Sequence, residues 1–146
     1  MKYLIRALLP LYILFLFTVA LPEDNKETSD TISGPKQIKV NIKMANQIED
    51  RMPVEVDSVF ENTIGRIYCW SSVATEKAED FKIYHIWNYE GEEQSKVPIE
   101  ITSPTFRAFT FQTILPEQTG DWTVYVVDTN YNVLGMSKFR IEAGQS

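Results

Sequence analysis

The chain has 146 residues, a formal charge of −6, one cysteine and one histidine. A single Cys69 excludes an internal disulfide, and Cys69 with His85 falls short of the roughly four ligands of a zinc site, so no metal and no cofactor is expected. The acidity and the lack of any Lys/Arg cluster argue against nucleic acid or an anionic membrane surface as partner, since both reward clustered cations.

Lys2 and Arg6 precede an apolar run, ALLPLYILFLFTVA, and Thr18 and Ala20 fit the small-x-small rule for a cut after Ala20. Residues 1–20 therefore read as a secretory signal peptide with a helix over 5–20. The run is shorter than the roughly 20 residues of a spanning helix. The alternative is an uncleaved anchor, in which Tyr3 to Leu21 cross a thin bilayer while Arg6 snorkels. The expected location is periplasmic or extracellular, or the inner membrane if the segment stays. Residues 21–36, LPEDNKETSDTISGPK, are almost devoid of apolar side chains and read as a flexible tether. Residues 37–146 suffice for one domain.

Inside that domain the hydrophobic period is two. IKVNIKM (38–44) sets Ile38, Val40, Ile42 and Met44 against Lys39, Asn41 and Lys43, the pattern of a half-buried strand. Further strands are expected over 64–73, 81–89, 96–101, 105–114, 121–128 and 133–143. Pro98 marks the fourth of these seven as an edge or irregular strand. Residues 45–60 break the period, with a short helical turn expected near Val54 to Val59. Pro116 to Gly120 reads as a corner between sheets, with Gly120 in a conformation that a Cβ would penalise. Trp122 then points inward, and DTNYN (128–132) is a hairpin tip. About seven short strands and no amphipathic helix indicate an antiparallel, all-β, immunoglobulin-like sandwich. Cys69 and Trp87 sit where such a domain has a strand-B cysteine and a strand-C tryptophan, while the strand-F position has no cysteine.

The motif order resembles a bacterial family, the domain of unknown function 2914, over about Ile38 to Ile141. The likeness rests on IEDRMPVE (48–55), IGRIYCWS (64–71), IYHIWNYEG (83–91), FRAFTFQTILP (106–116) and GDWTVYVVD (120–128). Trp70, His85, Trp87, Arg107, Gly120 and Trp122 match positions of the family pattern. Phe106 and Phe109 stand where tryptophan is more usual, and Glu55 where aspartate is. The family has no assigned activity, so the resemblance implies the fold and leaves the function open.

Few residues suggest chemistry. His85 with Ser71, Ser72 or Cys69 and Asp128 would be needed for a triad, but no nucleophile elbow accompanies them. The competing reading is a strand histidine packed on Trp87. Arg107 either pairs with a carboxylate such as Asp57 or Asp128, or contacts an anionic group of a partner; Arg51 has the same two readings. Cys69, Trp87, Gly120 and Trp122 are expected to serve the core. Tyr68, Trp70, Tyr84, Tyr89 and Phe111 either pack or form a stacking platform for sugar.

The expected function is a non-catalytic, exported binding module of the bacterial cell envelope, with Arg51, His85 and Arg107 as binding candidates. Its partner would be another envelope protein or a glycan. The alternatives are a carbohydrate-binding module and a hydrolase centred on His85.

Overall fold

The computed structural model describes residues 37–76 and 80–145. The signal helix, the cleavage site and the whole tether (21–36) lie outside the described residues. Nine strands are found among the described residues: β1 (Ile38–Glu49), β2 (Met52–Val56), β3 (Val59–Glu61), β4 (Arg66–Thr75), β5 (Phe81–Tyr89), β6 (Glu92–Ile101), β7 (Thr105–Thr113), β8 (Gly120–Asp128) and β9 (Val133–Glu142). They form a four-stranded sheet, β2-β1-β4-β7, and a five-stranded sheet, β3-β9-β8-β5-β6. β1-β4-β7 facing β9-β8-β5-β6 is the A-B-E and G-F-C order of an immunoglobulin-like sandwich, with β6 in the C′ place. Every pairing is antiparallel except that of β3 with β9.

The seven expected strands are present, and two more appear where a helical turn was expected. Asp50 and Arg51 both have positive φ, 47° and 62°. Glu49 pairs with Met52 across them. That is a two-residue hairpin whose twist suits antiparallel strands, so the chain turns back as β2 instead of coiling near Val54. No Asn-Gly or Asp-Gly announces this turn, and Arg51 is a rare residue for the left-handed region. After β2 the chain changes sheet, and β3 adds parallel to β9.

The core is built from inward residues of both sheets. Cys69, Trp87, Trp122 and Val124 are fully buried. Trp122 stacks on Phe139 with centroids 5.8 Å apart, and Trp87 meets the same ring edge-on at 6.2 Å. These three rings occupy the level where an antibody domain carries its inter-sheet disulfide. A second cluster, Val73, Ile83, Ile101 and Val126, closes the other end. Burial of the Cys69 thiol pushes its pKa far up, so it behaves as a small hydrophobe.

The segment 116–120 carries the chain from β7 in one sheet to β8 in the other. Gly120 has φ of 121°, and a Cβ there would lie 2.0 Å from Glu90 Oε1. That carboxylate oxygen accepts from the Asp121 amide at 2.7 Å. The Trp122 indole N–H donates to the Gln118 carbonyl at 3.3 Å. β6 is a sheet edge, as Pro98 requires.

Candidate binding face

The sandwich has a polar cluster in its interior and an aromatic, cationic surface on one exterior. His85 is fully buried on β5, facing β4 and β7 of the opposite sheet. Its Nε2 lies 3.0 Å from Ser71 Oγ, and its Nδ1 lies 2.9 Å from Thr110 Oγ1. The Trp87 indole N–H donates to the same Thr110 oxygen at 3.1 Å. A neutral imidazole donates through one nitrogen and accepts through the other, so this set of four closes on itself. No buried side-chain N or O among the described residues lacks a partner. Desolvation holds the His85 pKa down at about 4.

This geometry brings Ser71 to His85, as a hydrolase would, but puts a threonine hydroxyl where the orienting acid belongs. Asp128 is occupied elsewhere. Its Oδ1 accepts from the amides of Asn130 and Asn132 at 2.8 and 2.9 Å, closing the turn after β8. Hydrogen bonds from Asn132, first from its side chain, lower the Asp128 pKa.

The register of the four-stranded sheet defines its outer face. Lys43, Trp70 and Phe109 lie in one cross-strand row, Ala45, Tyr68 and Phe111 in the next, and Asn41, Ser72 and Arg107 on the other side. Phe109 and Phe111 are 46% and 48% exposed. Tyr68 lies edge-on to Phe109 at 6.5 Å and tilted to Phe111 at 6.0 Å. The Arg66 guanidinium sits 4.1 Å above the Phe111 ring. Trp70 is covered: its indole N–H donates to the Arg51 carbonyl at 2.9 Å. The β1–β2 hairpin tip therefore folds over this face.

Arg51 also reaches β7, where its Nη2 donates to the Arg107 carbonyl at 3.1 Å. The two arginines line an open cavity of about 400 Å³ together with Ser103, Thr105 and Phe106. The expected pairing of Arg107 with Asp57 or Asp128 is not formed. Asp57 Oδ1 caps the amides of Ser58 and Val59 at 2.7 and 3.3 Å, and Asp128 closes its own turn. Lys39, Lys43, Arg66, Arg107 and the hairpin's Arg51 thus crowd one face of an acidic chain. No carboxylate occupies an outward position of β1, β4 or β7 in the paired stretch among the described residues.

The proposed five-residue platform divides between places. Tyr68 and Phe111 share the outer face, and Trp70 is beneath the hairpin. Tyr84 and Tyr89 belong to the other sheet, where Tyr89 packs on Trp122 at 4.8 Å. Tyr84 and Tyr131 flank Lys96, whose amine donates to the Tyr131 hydroxyl. That hydrogen bond is the main cause of a raised Lys96 pKa. The binding candidates Arg51 and Arg107 come together, and His85 lies inside the sandwich, away from the surface.

Sequence reasoning missed Phe109, Arg66, Lys39 and Lys43. In TFRAFTFQT both alternating sets hold apolar residues, so parity alone does not tell which set faces out. The alternation of Lys39, Asn41 and Lys43 across from Arg107 was the available signal.

The sequence profile of a family described as "Protein of unknown function (DUF2914)" matches residues 80–141. Of the five motifs carrying the resemblance, the last three fall in that span, and those at 48–55 and 64–71 lie outside it. No curated protein matches the chain. Among solved structures, a β-glucosidase from Erythrobacter marinus is similar at 7% identity with a TM-score of 0.50, over 73% of this chain and 16% of that one. A β-glucosidase from Listeria innocua in complex with glucose gives 8% identity and a TM-score of 0.48, over 75% and 16%. The Pseudomonas fluorescens alkylpurine DNA glycosylase AlkC gives 14% and 0.46, over 73% and 30%. The chain spans less than a third of each of these proteins. At 7% identity the likeness to the first of these is one of fold alone.

Proposed function

Since the chain belongs, through residues 80–141, to the DUF2914 family of unknown function, we propose that it is a non-catalytic interaction module, exported to the bacterial envelope, that docks a protein partner on the outer face of its four-stranded sheet. The observation that carries this reading is the exposed pair Phe109 and Phe111 beside half-buried Tyr68, with Arg51, Arg66 and Arg107 around them and no ion pair to these arginines among the described residues, on a chain of net charge −6. Aromatic residues and arginine are the types enriched at protein interfaces. A sugar platform is less favoured, because the exposed rings are mainly phenylalanine and all three tryptophans are buried. A hydrolase is less favoured, because the Ser71–His85 pair is sealed between the sheets without a carboxylate.

The test is partner capture from an envelope extract, comparing wild type with two variants. One, Arg107→Ala/Phe109→Thr/Phe111→Thr, alters the proposed face. The other, Tyr131→Thr/Met136→Thr, alters the exposed outer face of the five-stranded sheet. The reading expects a stoichiometric protein that the first variant loses and the second retains. Equal capture by both contradicts it.

A further inference from the structure

The four sheet edges differ in how they are finished. β2 has five residues, with Pro53 inside it and Glu55 at a positive φ of 55°. β3 has three residues. β6 carries Pro98, and its register against β5 shifts between Trp87 and Asn88. These are the usual devices by which natural sheets discourage a further strand. β7 has none of them. It runs nine residues without proline, glycine, positive φ or register shift, and pairs only with β4.

The hydrogen-bond phase shows what β7 presents at its open side. Thr75 N donates to Pro104 O at 2.9 Å, and Ile114 N donates to Gly65 O at 3.0 Å. Both continue the β4–β7 register at its two ends, and both join directly opposed residues. In an antiparallel ladder such bonded pairs alternate with unbonded ones. The even-numbered residues of β7 therefore bond to β4. Thr105, Arg107, Phe109, Phe111 and Thr113 turn their N–H and C=O groups to the open edge. The Thr105 carbonyl there accepts from the Ser103 hydroxyl at 2.8 Å and the Thr113 carbonyl from the Gln112 side-chain amide at 3.4 Å, so the carbonyls of Phe109 and Phe111 are the ones a new strand would meet first. Arg51 on the Arg107 carbonyl agrees with this phase. The same five residues present their side chains on the outer face, so edge donors, exposed rings and the Arg51–Arg107 cavity are contiguous.

We propose that β7 accepts an extended, acidic segment of a partner protein as an added antiparallel strand. This rests on the docking face described above and gives its mode and chemistry. The added strand would place apolar side chains beside Phe111 and Phe109, and two residues later a carboxylate beside Arg107 and Arg51. The motif is apolar-x-apolar-x-Asp/Glu. Charge complementarity selects the acid, because five cations crowd the face and, among the described residues, no outward carboxylate lies on β4, on β7 or on the stretch of β1 paired with β4; Glu49 and Asp50 stand beyond it at the hairpin. Main-chain bonds supply affinity and alternate side chains supply specificity, as in other strand additions. Cross-strand pairing also disfavours a like charge opposite Arg107.

The experiment titrates the purified full-length chain with a synthetic peptide, Thr-Ser-Val-Ser-Val-Ser-Glu-Ser-Thr, by calorimetry. Saturable one-to-one binding is expected. N-methylation of both valines, whose N–H groups would face β7, is expected to weaken it roughly tenfold or more, the scale of two lost hydrogen bonds. N-methylation of the serines between them should leave it unchanged. Arg107→Glu should lose the peptide and bind its Glu-to-Lys counterpart instead. Phe109→Pro should block binding without removing any bond to β4, with its unfolding midpoint as the check on folding. Peptide binding indifferent to N-methylation overturns strand addition. So does a chain dimer that Phe109→Pro abolishes, which would make the partner a second copy. If no peptide binds while the face variant still loses its captured partner, strand addition falls and the docking face stands. If capture is also indifferent to that variant, the docking face falls with it.

Discussion

The two sides of β7 invert the usual rule of a half-buried strand. Thr110 points inward beside a buried histidine, and Phe109 and Phe111 point outward into water. The inward polar group is fully satisfied: it serves His85 and Trp87 at once, within 3.1 Å of each. The outward rings are covered only along one side, by Tyr68 and Arg66. A buried polar group with all its partners explains itself as architecture. A half-exposed aromatic patch among cations does not, and solvated apolar patches on monomers mark contact surfaces. The residues that look most like chemistry, Ser71 and His85, thus belong to the fold, and those that look like core belong to the surface.

That contrast predicts a gradient of effects. The deepest is Trp122→Ala. Emptying a site stacked on Phe139 and Tyr89 should cost about 3–5 kcal/mol in urea titration, a large share of a typical total of roughly 5–15 kcal/mol. A loss near zero would place Trp122 outside the core.

Next is the pH response of the inner cluster. His85 has a folded pKa of about 4 and an unfolded one of about 6.5. Between those values the unfolded chain binds the proton and the folded chain does not, so stability falls as pH drops through that window. The loss amounts to roughly 3 kcal/mol at its full extent. Unfolding free energies from pH 7 to 4 should show this slope, and His85→Gln should flatten it. An unchanged slope in the variant would assign the response to other groups.

Thr110→Val keeps the shape and removes one hydroxyl, leaving the Trp87 N–H and a His85 nitrogen short of a partner. A cost of about 1–3 kcal/mol is expected, read as a lower midpoint at an unchanged denaturant slope. A neutral result would mean the cluster finds water.

Most of the frame was legible in the sequence because period-two runs such as IKVNIKM and DWTVYVVD have one buried face each. Gly120 and Trp122 could be placed for a related reason: a glycine ending the corner that Pro116 opens, and a tryptophan in phase with Val124 and Val126. What stayed hidden depended on contacts that no local pattern encodes. The Asp50–Arg51 turn uses residues that rarely adopt positive φ, so β2 read as a break. β3 is three residues long and exists only through its pairing with β9. The outer face was hidden because β7 is apolar in both phases, and only the register with β4 shows which phase is inside. The meeting of Arg51 with Arg107 across 56 positions of sequence is a product of the hairpin folding over Trp70.

The central claim is that the outer aromatics of β7 serve a partner and not the fold. The most direct measurement is the unfolding free energy of Phe109→Thr/Phe111→Thr in urea, beside wild type. Loss of two exposed rings and their cross-strand contacts should cost at most about 1 kcal/mol. A loss of about 3 kcal/mol or more, on the scale of Trp122→Ala, would make these rings part of the core and contradict the account.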